Sequence, residues 1–275
     1  MGVMTHEALI RGTVFLAVLM VMALWETFAG FRPQSVGRWQ RWPHNLMVVV
    51  VGTLLLRLVF PLAAVGAAYL AADRGWGIFN SIAIPRWLAG LVCFVVLDAV
   101  IYFQHRAFHK VPWLWRLHRM HHTDLEFDVT TGLRFHPFEI MLSMLLKVAV
   151  VILLGAPAVA VLVFEVVLSA TAMFNHSNVS LPGRLDRYLR WLVVTPDMHR
   201  VHHSVVRAET DSNFGFNLPW WDRLFATYRR QPAAGQRGMI IGINAFREPR
   251  CLRLDKLLVQ PFVSPPPSHL NDQDV

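Results

Sequence analysis

Ten of the thirteen histidines fall between residues 105 and 203, and eight of these form three tight groups: His105 and His109; His118, His121 and His122; His199, His202 and His203. Imidazoles three and four residues apart lie on one helix face and can converge on a metal ion. His105 and His109 are spaced i, i+4, and the other two groups share the pattern HxxHH. Neutral imidazole suits iron, zinc, copper or nickel. Eight such ligands, or ten with His136 in RFHPFE and His176 in FNHSN, exceed what one metal takes, so two metals are implied. His6, His44 and His269 stand alone and read as ordinary surface or hydrogen-bonded residues.

The residues beside the histidines narrow the chemistry. A zinc protease needs HExxH, but Arg106, Arg119 and Arg200 follow the leading histidines here. The carboxylate-bridged di-iron bundle needs Glu-x-x-His pairs, and the chain has none. Its two cysteines, Cys93 in an apolar run and Cys251 in a basic segment, make neither a disulfide framework nor a paired-cysteine zinc motif. A histidine-dominated two-metal site beside a bilayer fits O2 activation directed at a lipid.

The bilayer follows from composition. Hydrophobic residues make up 55% and charged residues 16% of the 275-residue chain, which marks an integral membrane protein. The formal charge of +8 does not point to nucleic acid, because the basic residues sit between apolar runs and form no face with interleaved aromatics. The runs are roughly 9–30, 45–72 and 86–104, then 138–174 interrupted at Gly155, Ala156 and Pro157. Each of the first three can cross about 30 Å of hydrocarbon, and the last divides into two arms near the lower limit for spanning. The first run lacks a small-residue cleavage site and reads as a retained membrane segment. The expected fold is an all-α polytopic membrane bundle of about four transmembrane helices under a cytoplasmic, histidine-rich helical cap. Residues 1–260 read as a single domain, with 261–275 a disordered tail.

Lysine and arginine set the orientation. Arg32, Arg38 and Arg41 fall in the connection 31–44; Arg106, Lys110, Arg116, Arg119 and Arg134 fall in 105–137; thirteen of the 26 basic residues lie beyond 175. By the positive-inside rule these three regions are cytoplasmic, and they carry all three histidine groups. Arg57, Lys147 and Glu165 are isolated charges within apolar runs, and a Lys147–Glu165 contact across the last hairpin would explain two of them.

The order HRxxH, HxxHH, RFHPFE, NHSN and HRVHH, set among apolar segments, resembles the fatty acid hydroxylase superfamily, also called the sterol desaturase family. The likeness runs from about Asp98 to Tyr228. It implies a membrane-bound non-haem di-iron oxygenase that hydroxylates or desaturates a fatty acyl lipid, sterol or carotenoid with O2 and two electrons. Residue by residue it implies that His105, His109, His118, His121, His122, His199, His202 and His203 bind two iron ions, with His136 and His176 matching further family histidines. No cytochrome b5 domain is visible, so the electrons are expected from a separate donor: a ferredoxin, a cytochrome b5-like protein or a reductase. The expected location is a cytoplasm-facing site in the membrane, the inner membrane if the source is bacterial. Asp98, Glu139 and Asp197 are candidates to accept a ring N–H and orient an imidazole, and Asn175 to hydrogen-bond a ligand or cap a helix. The segment NFGFNLPWWDRLFATYRR reads as an interfacial aromatic and basic anchor that can also cover the metals. Two other readings stay open: a non-catalytic metal-binding membrane protein, and a zinc-dependent lipid hydrolase.

Overall fold

The computed structural model describes residues 2–265, with side chains from residue 6; the greater part of the expected disordered tail, 266–275, and His269 within it lie outside the described residues. Among the described residues the chain is helical, with one isolated bridge between Ser204 and Ile241 in place of any sheet. The helices are α1 (Gly2–Ala29), α2 (Arg38–Val59), α3 (Ala63–Asp73), α4 (Ile78–Ser81), α5 (Arg86–Lys110), α6 (Pro112–His122), α7 (Pro137–Leu154), α8 (Ala158–Asn175), α9 (Gly183–Leu189), α10 (Pro196–His202), α11 (Arg207–Thr210) and α12 (Trp220–Leu224), followed by short helical segments of which the longest is Leu254–Val259.

Among the described residues, five segments are long and apolar enough to cross a membrane: α1, the α2–α4 stretch, α5, α7 and α8. That is one more than the sequence reading of about four, because both arms of the interrupted run form 18-residue helices, each about 27 Å long against a hydrocarbon core of about 30 Å. The arms turn at Gly155, which takes the left-handed conformation (φ 65°, ψ 44°) that ends a helix at low cost for glycine. The second run bends at Phe60–Leu62, between α2 and α3. The core joins α3, α5, α7 and α8 through Ala64, Val65, Leu97, Val151, Val161 and Phe164.

The two ends of the bundle are sorted as the charge distribution requires. At one end Gly77 lies against Gly155, so the connection 73–85 and the α7–α8 turn share a side. At the other end a polar lattice ties the loop before α2 to the segment after α6. Glu126 Oε1 accepts from the backbone N–H groups of Ser35 (2.6 Å) and Val36 (2.9 Å). The fully buried Arg41 donates to both Asp124 oxygens (2.7 and 2.8 Å) and to Asp128 (2.6 Å). Burial pushes the Asp124 carboxyl up, but Arg41 and Arg134, with a hydrogen bond from Thr131, outweigh it and hold the group well below the usual carboxylate range.

Candidate metal centre

Proline shapes the elements that carry the histidines. Pro112 forces Val111 into extended backbone (φ −95°, ψ 118°), so α5 ends at Lys110 and α6 starts afresh with proline in its first turn. This turn sets His118 and His122 of α6 against His105 and His109 of α5. Pro196 begins α10 in the same way and aligns His199 and His202. His176 enters from the end of α8, where Gly132 lets the 131–133 turn approach: a Cβ on Gly132 would fall 2.5 Å from the Ala172 carbonyl oxygen and 3.0 Å from His176 Nδ1.

Among the described residues, nine histidines converge in two adjoining groups. His105, His109, His118, His122 and His202 form one; His121, His176, His199 and His203 form the other, and in each group the offered nitrogens lie within 4.8 Å of one another. All nine are buried. Each HxxHH therefore serves both centres. On a helix of 3.6 residues per turn, positions i and i+4 are about 40° apart, whereas i+3 falls about 60° to the other side. The pairs His118/His122 and His199/His203 each face one group, and His121 and His202 face the other.

Hydrogen bonds define what the ring nitrogens offer. His105 Nδ1 lies 2.7 Å from the Phe214 carbonyl, His202 Nδ1 2.7 Å from the Ser212 carbonyl and His176 Nδ1 2.7 Å from the Ala172 carbonyl. A carbonyl only accepts, so each Nδ1 carries the proton and each Nε2 is left with its lone pair. His118 Nδ1 donates in the same way to Glu139 Oε1 at 2.7 Å. Yet His105 Nε2 and His118 Nε2 face each other at 3.1 Å, and His176 Nε2 lies 3.1 Å from His121 Nε2 and 3.0 Å from His199 Nε2. The His105 and His118 lone pairs repel at that separation unless a cation sits between them, whereas His121 and His199, whose Nδ1 atoms have no partner among the described residues, leave their own tautomers open. Protonation of the surrounding rings is disfavoured, since burial, reinforced by neighbouring imidazoles, drives His121, His122, His199, His202 and His203 well below the ordinary imidazole range, and burial takes His176 to about 3. His109 and His203 also leave both ring nitrogens buried without a partner. The donor set fits metal ions.

His136 corrects the sequence expectation. It lies outside both groups: its Nδ1 accepts from the Phe138 N–H (3.2 Å), capping α7, and its Nε2 donates to the Leu258 carbonyl (3.1 Å). Of the four expected orienting residues, Glu139 reaches a histidine. Asp98 instead accepts from Trp221 Nε1 (2.8 Å) and the Leu218 N–H (3.3 Å). Asn175 donates to the Phe216 carbonyl (3.0 Å), and Asp197 pairs with Arg200 (2.6 Å) and Ser180 (3.0 Å). Residues that sequence reasoning missed do part of the orienting: the carbonyls of Ser212 and Phe214. Asp222 holds that loop by accepting from the Phe214 and Gly215 N–H groups (2.8 and 2.9 Å). The aromatic segment thus covers the centre, with Phe214 against His105, His109 and His202. Glu139→Leu is expected to weaken metal retention by about 10- to 100-fold, the usual cost of losing a partner that orients a ligand imidazole. Chelator titration of the purified protein reads this directly, and unchanged retention would show that the Glu139 hydrogen bond plays no such role.

A cavity of about 360 Å³ rises from the histidines into the bundle between α2, α5, α7 and α8. His105, His118 and Glu139 line its inner end with Phe135 and Phe216. Phe135 stacks on His121 (ring centres 4.5 Å apart), and Phe216 touches His105 (5.0 Å) and His199 (5.9 Å), so the cavity ends where the two centres meet.

Fold and site together define a helical membrane protein with two histidine clusters, able to hold metal, at the foot of an intramembrane cavity. The family model for fatty acid hydroxylase matches residues 90–227, half of the chain, and the chain belongs to that family. Among curated relatives it is 34% identical over 139 residues to an ornithine lipid hydroxylase, OlsE, of Rhizobium tropici, covering 50% of this chain and 41% of the relative. It is 27% identical over 153 residues to the alkylglycerol monooxygenase of Homo sapiens, covering 56% and 33%. Against the cholesterol 25-hydroxylase of Rattus norvegicus it is 26% identical over 145 residues, covering 52% and 47%. The matches span less than half the length of these relatives. No solved structure matches the chain.

Proposed function

We propose that this chain is an integral-membrane, non-haem di-iron oxygenase that hydroxylates a lipid, with desaturation as the alternative outcome, using O2 and two electrons from a separate donor protein. The observation that carries the reading is the junction of two all-histidine centres at the end of a membrane-embedded cavity. The five-histidine group would hold one iron and the four-histidine group the other. Bound there, the pair supplies reductive activation of O2 and attack on an unactivated C–H bond. The protein's own groups do the rest. The Ser212, Phe214 and Ala172 carbonyls and Glu139 keep protons on Nδ1 and present Nε2 inward. Phe135, Phe214 and Phe216 exclude water from the histidines, and the apolar stretch of the cavity, with Ile101, Phe108, Ile140 and Met144, holds a hydrocarbon chain against them.

The names of the relatives support a lipid substrate, and the basic residues at the histidine end support a cytoplasmic site by the positive-inside rule. A metal transporter is disfavoured because its histidines would sit on facing membrane segments near the midplane, whereas these lie at helix ends. The test is lipid profiling of cells expressing the chain under ¹⁸O₂ with ferredoxin and cytochrome b5 systems supplied. A lipid that gains one labelled oxygen, or loses two hydrogens, is the expected result; product formation without O2 would establish hydrolysis instead.

A further inference from the structure

Three charges within the membrane segments, Arg11, Lys147 and Glu165, meet in the same cavity. Glu165 of α8 accepts from Arg11 of α1 at 2.5 Å and from Lys147 of α7, and Arg11 also pairs with Glu7 at 2.8 Å. The Lys147–Glu165 contact explains two charges within apolar runs, but not why both line the cavity that ends at His105 and His118. Along α7 the polar residues facing this cavity are Glu139, Ser143 and Lys147, one turn apart, with Ile140 and Met144 beside them. Glu139 is bonded to His118, and Lys147 stands eight residues further, about 12 Å along the helix axis. Seven more residues, about 10 Å, separate Lys147 from the far end of α7.

The cluster has an excess of cation and of donors. Arg11, Lys147 and the nearby Arg57, which has no ion pair among the described residues, face two carboxylates, Glu165 and Glu7. Arg11 uses Nε for Glu7 and Nη2 for Glu165, and Lys147 spends one of three N–H groups on Glu165, so both cations keep donors for another acceptor. A second cavity of about 370 Å³ opens between α1, α2 and α8 and shares Arg11, Phe15, Thr53 and Glu165 with the first. Its outer wall includes Leu16, 56% exposed on the lipid-facing side of α1. The charges therefore stand where a lateral opening from the bilayer joins the path to the histidines.

We infer that Arg11 and Lys147, held in place by Glu165, form an anion subsite for the carboxylate of a single-chain fatty amphiphile that enters between α1 and α2 and lays its chain toward His105 and His118. This rests on the oxygenase reading for the fate of the chain, not for the binding itself. A distance of about 12 Å is roughly ten C–C bonds of about 1.5 Å laid in zigzag, so attack would fall well along the chain, away from the carboxylate. The subsite acts by positioning.

The test is displacement of radiolabelled hexadecanoic acid from the full-length protein in nanodiscs, at a pH where the acid is ionised, by unlabelled acid, methyl ester or hexadecanol. Wild type is expected to bind the acid at least about tenfold more tightly than the ester, as a charge-assisted contact would give. Arg11→Gln and Lys147→Gln should each erase most of that preference and leave ester binding unchanged; Arg11→Lys and Lys147→Arg should restore it. Equal binding of acid and ester by wild type, or variants that weaken both alike, would overturn the subsite. Should the variants fail to fold, the wild-type ratio decides alone. Hydroxylation without an acid preference removes the subsite and spares the oxygenase; an acid preference without any oxygenated product does the reverse.

Discussion

His199→Ala is expected to lower bound metal from two equivalents per chain to about one and to reduce lipid hydroxylation by at least about a hundredfold, whereas His136→Ala retains both equivalents. His199 belongs to the smaller group, so its loss leaves three donors in a buried site. Removal of a residue that merely orients a ligand already costs about 10- to 100-fold, and removal of a ligand exceeds that. His136 caps α7, and its replacement should cost only about 0.5–2 kcal/mol of stability. Metal analysis with a turnover assay on both variants checks the pair. Loss of metal from His136→Ala with retention in His199→Ala would reverse the assignment.

That contrast marks what was legible in the sequence. The i, i+4 pairs and the HxxHH repeats carry their geometry with them, because helix periodicity alone sends His118 and His122 one way and His121 another. His176 carried no such periodic neighbour, and only the approach of Gly132 and the end of α8 place it in the four-histidine group. His136 misled because its motif lies close to the others. The signal against it was local: a polar residue immediately before Pro137 at the head of a long apolar helix is in the N-cap position. Asp98 misled for a different reason. It lies on α5, which carries His105, but its carboxylate turns to the indole of Trp221, a contact between segments 123 residues apart that no spacing rule reveals. The Ser212 and Phe214 carbonyls were invisible because backbone acceptors leave no trace in residue type. The arginines after His118 and His199 excluded a zinc protease, but their purpose emerges only in three dimensions. Arg200 is buried between Phe31 and Phe127 and donates to the Val179 carbonyl, and Arg119 donates to the Val263 carbonyl, so each guanidinium is engaged by groups outside the two histidine clusters and fastens the segments around them.

The second large effect concerns that fastening. Asp124→Asn should destabilise the folded protein by about 3–5 kcal/mol, because it leaves the fully buried Arg41 without its bidentate partner. Asp255→Asn, on an exposed pair with Arg253, should change stability by less than about 0.5 kcal/mol. Thermal unfolding of the two variants in detergent measures the difference. The same network sets an acid limit. Asp124 is depressed in the folded state, so its contribution is fully present above the unfolded value of about 3.9 and is lost as pH falls from there through the lower folded value. Asp128, which burial raises and Arg41 more than offsets, has the same sign. Stability should therefore fall with acid in wild type and fall less steeply in Asp124→Asn. Equal slopes would show that Asp124 is not held depressed by Arg41 and Arg134 in the folded state.

The central claim is that nine histidines, divided five and four, hold two irons beside a lipid cavity. Iron quantitation of the purified, iron-reconstituted full-length protein tests it most directly. Two irons per chain in wild type, about one in His199→Ala and two in His136→Ala is the expected result. One metal per chain in wild type, or two zinc ions that iron cannot replace in a protein active without O2, would contradict it.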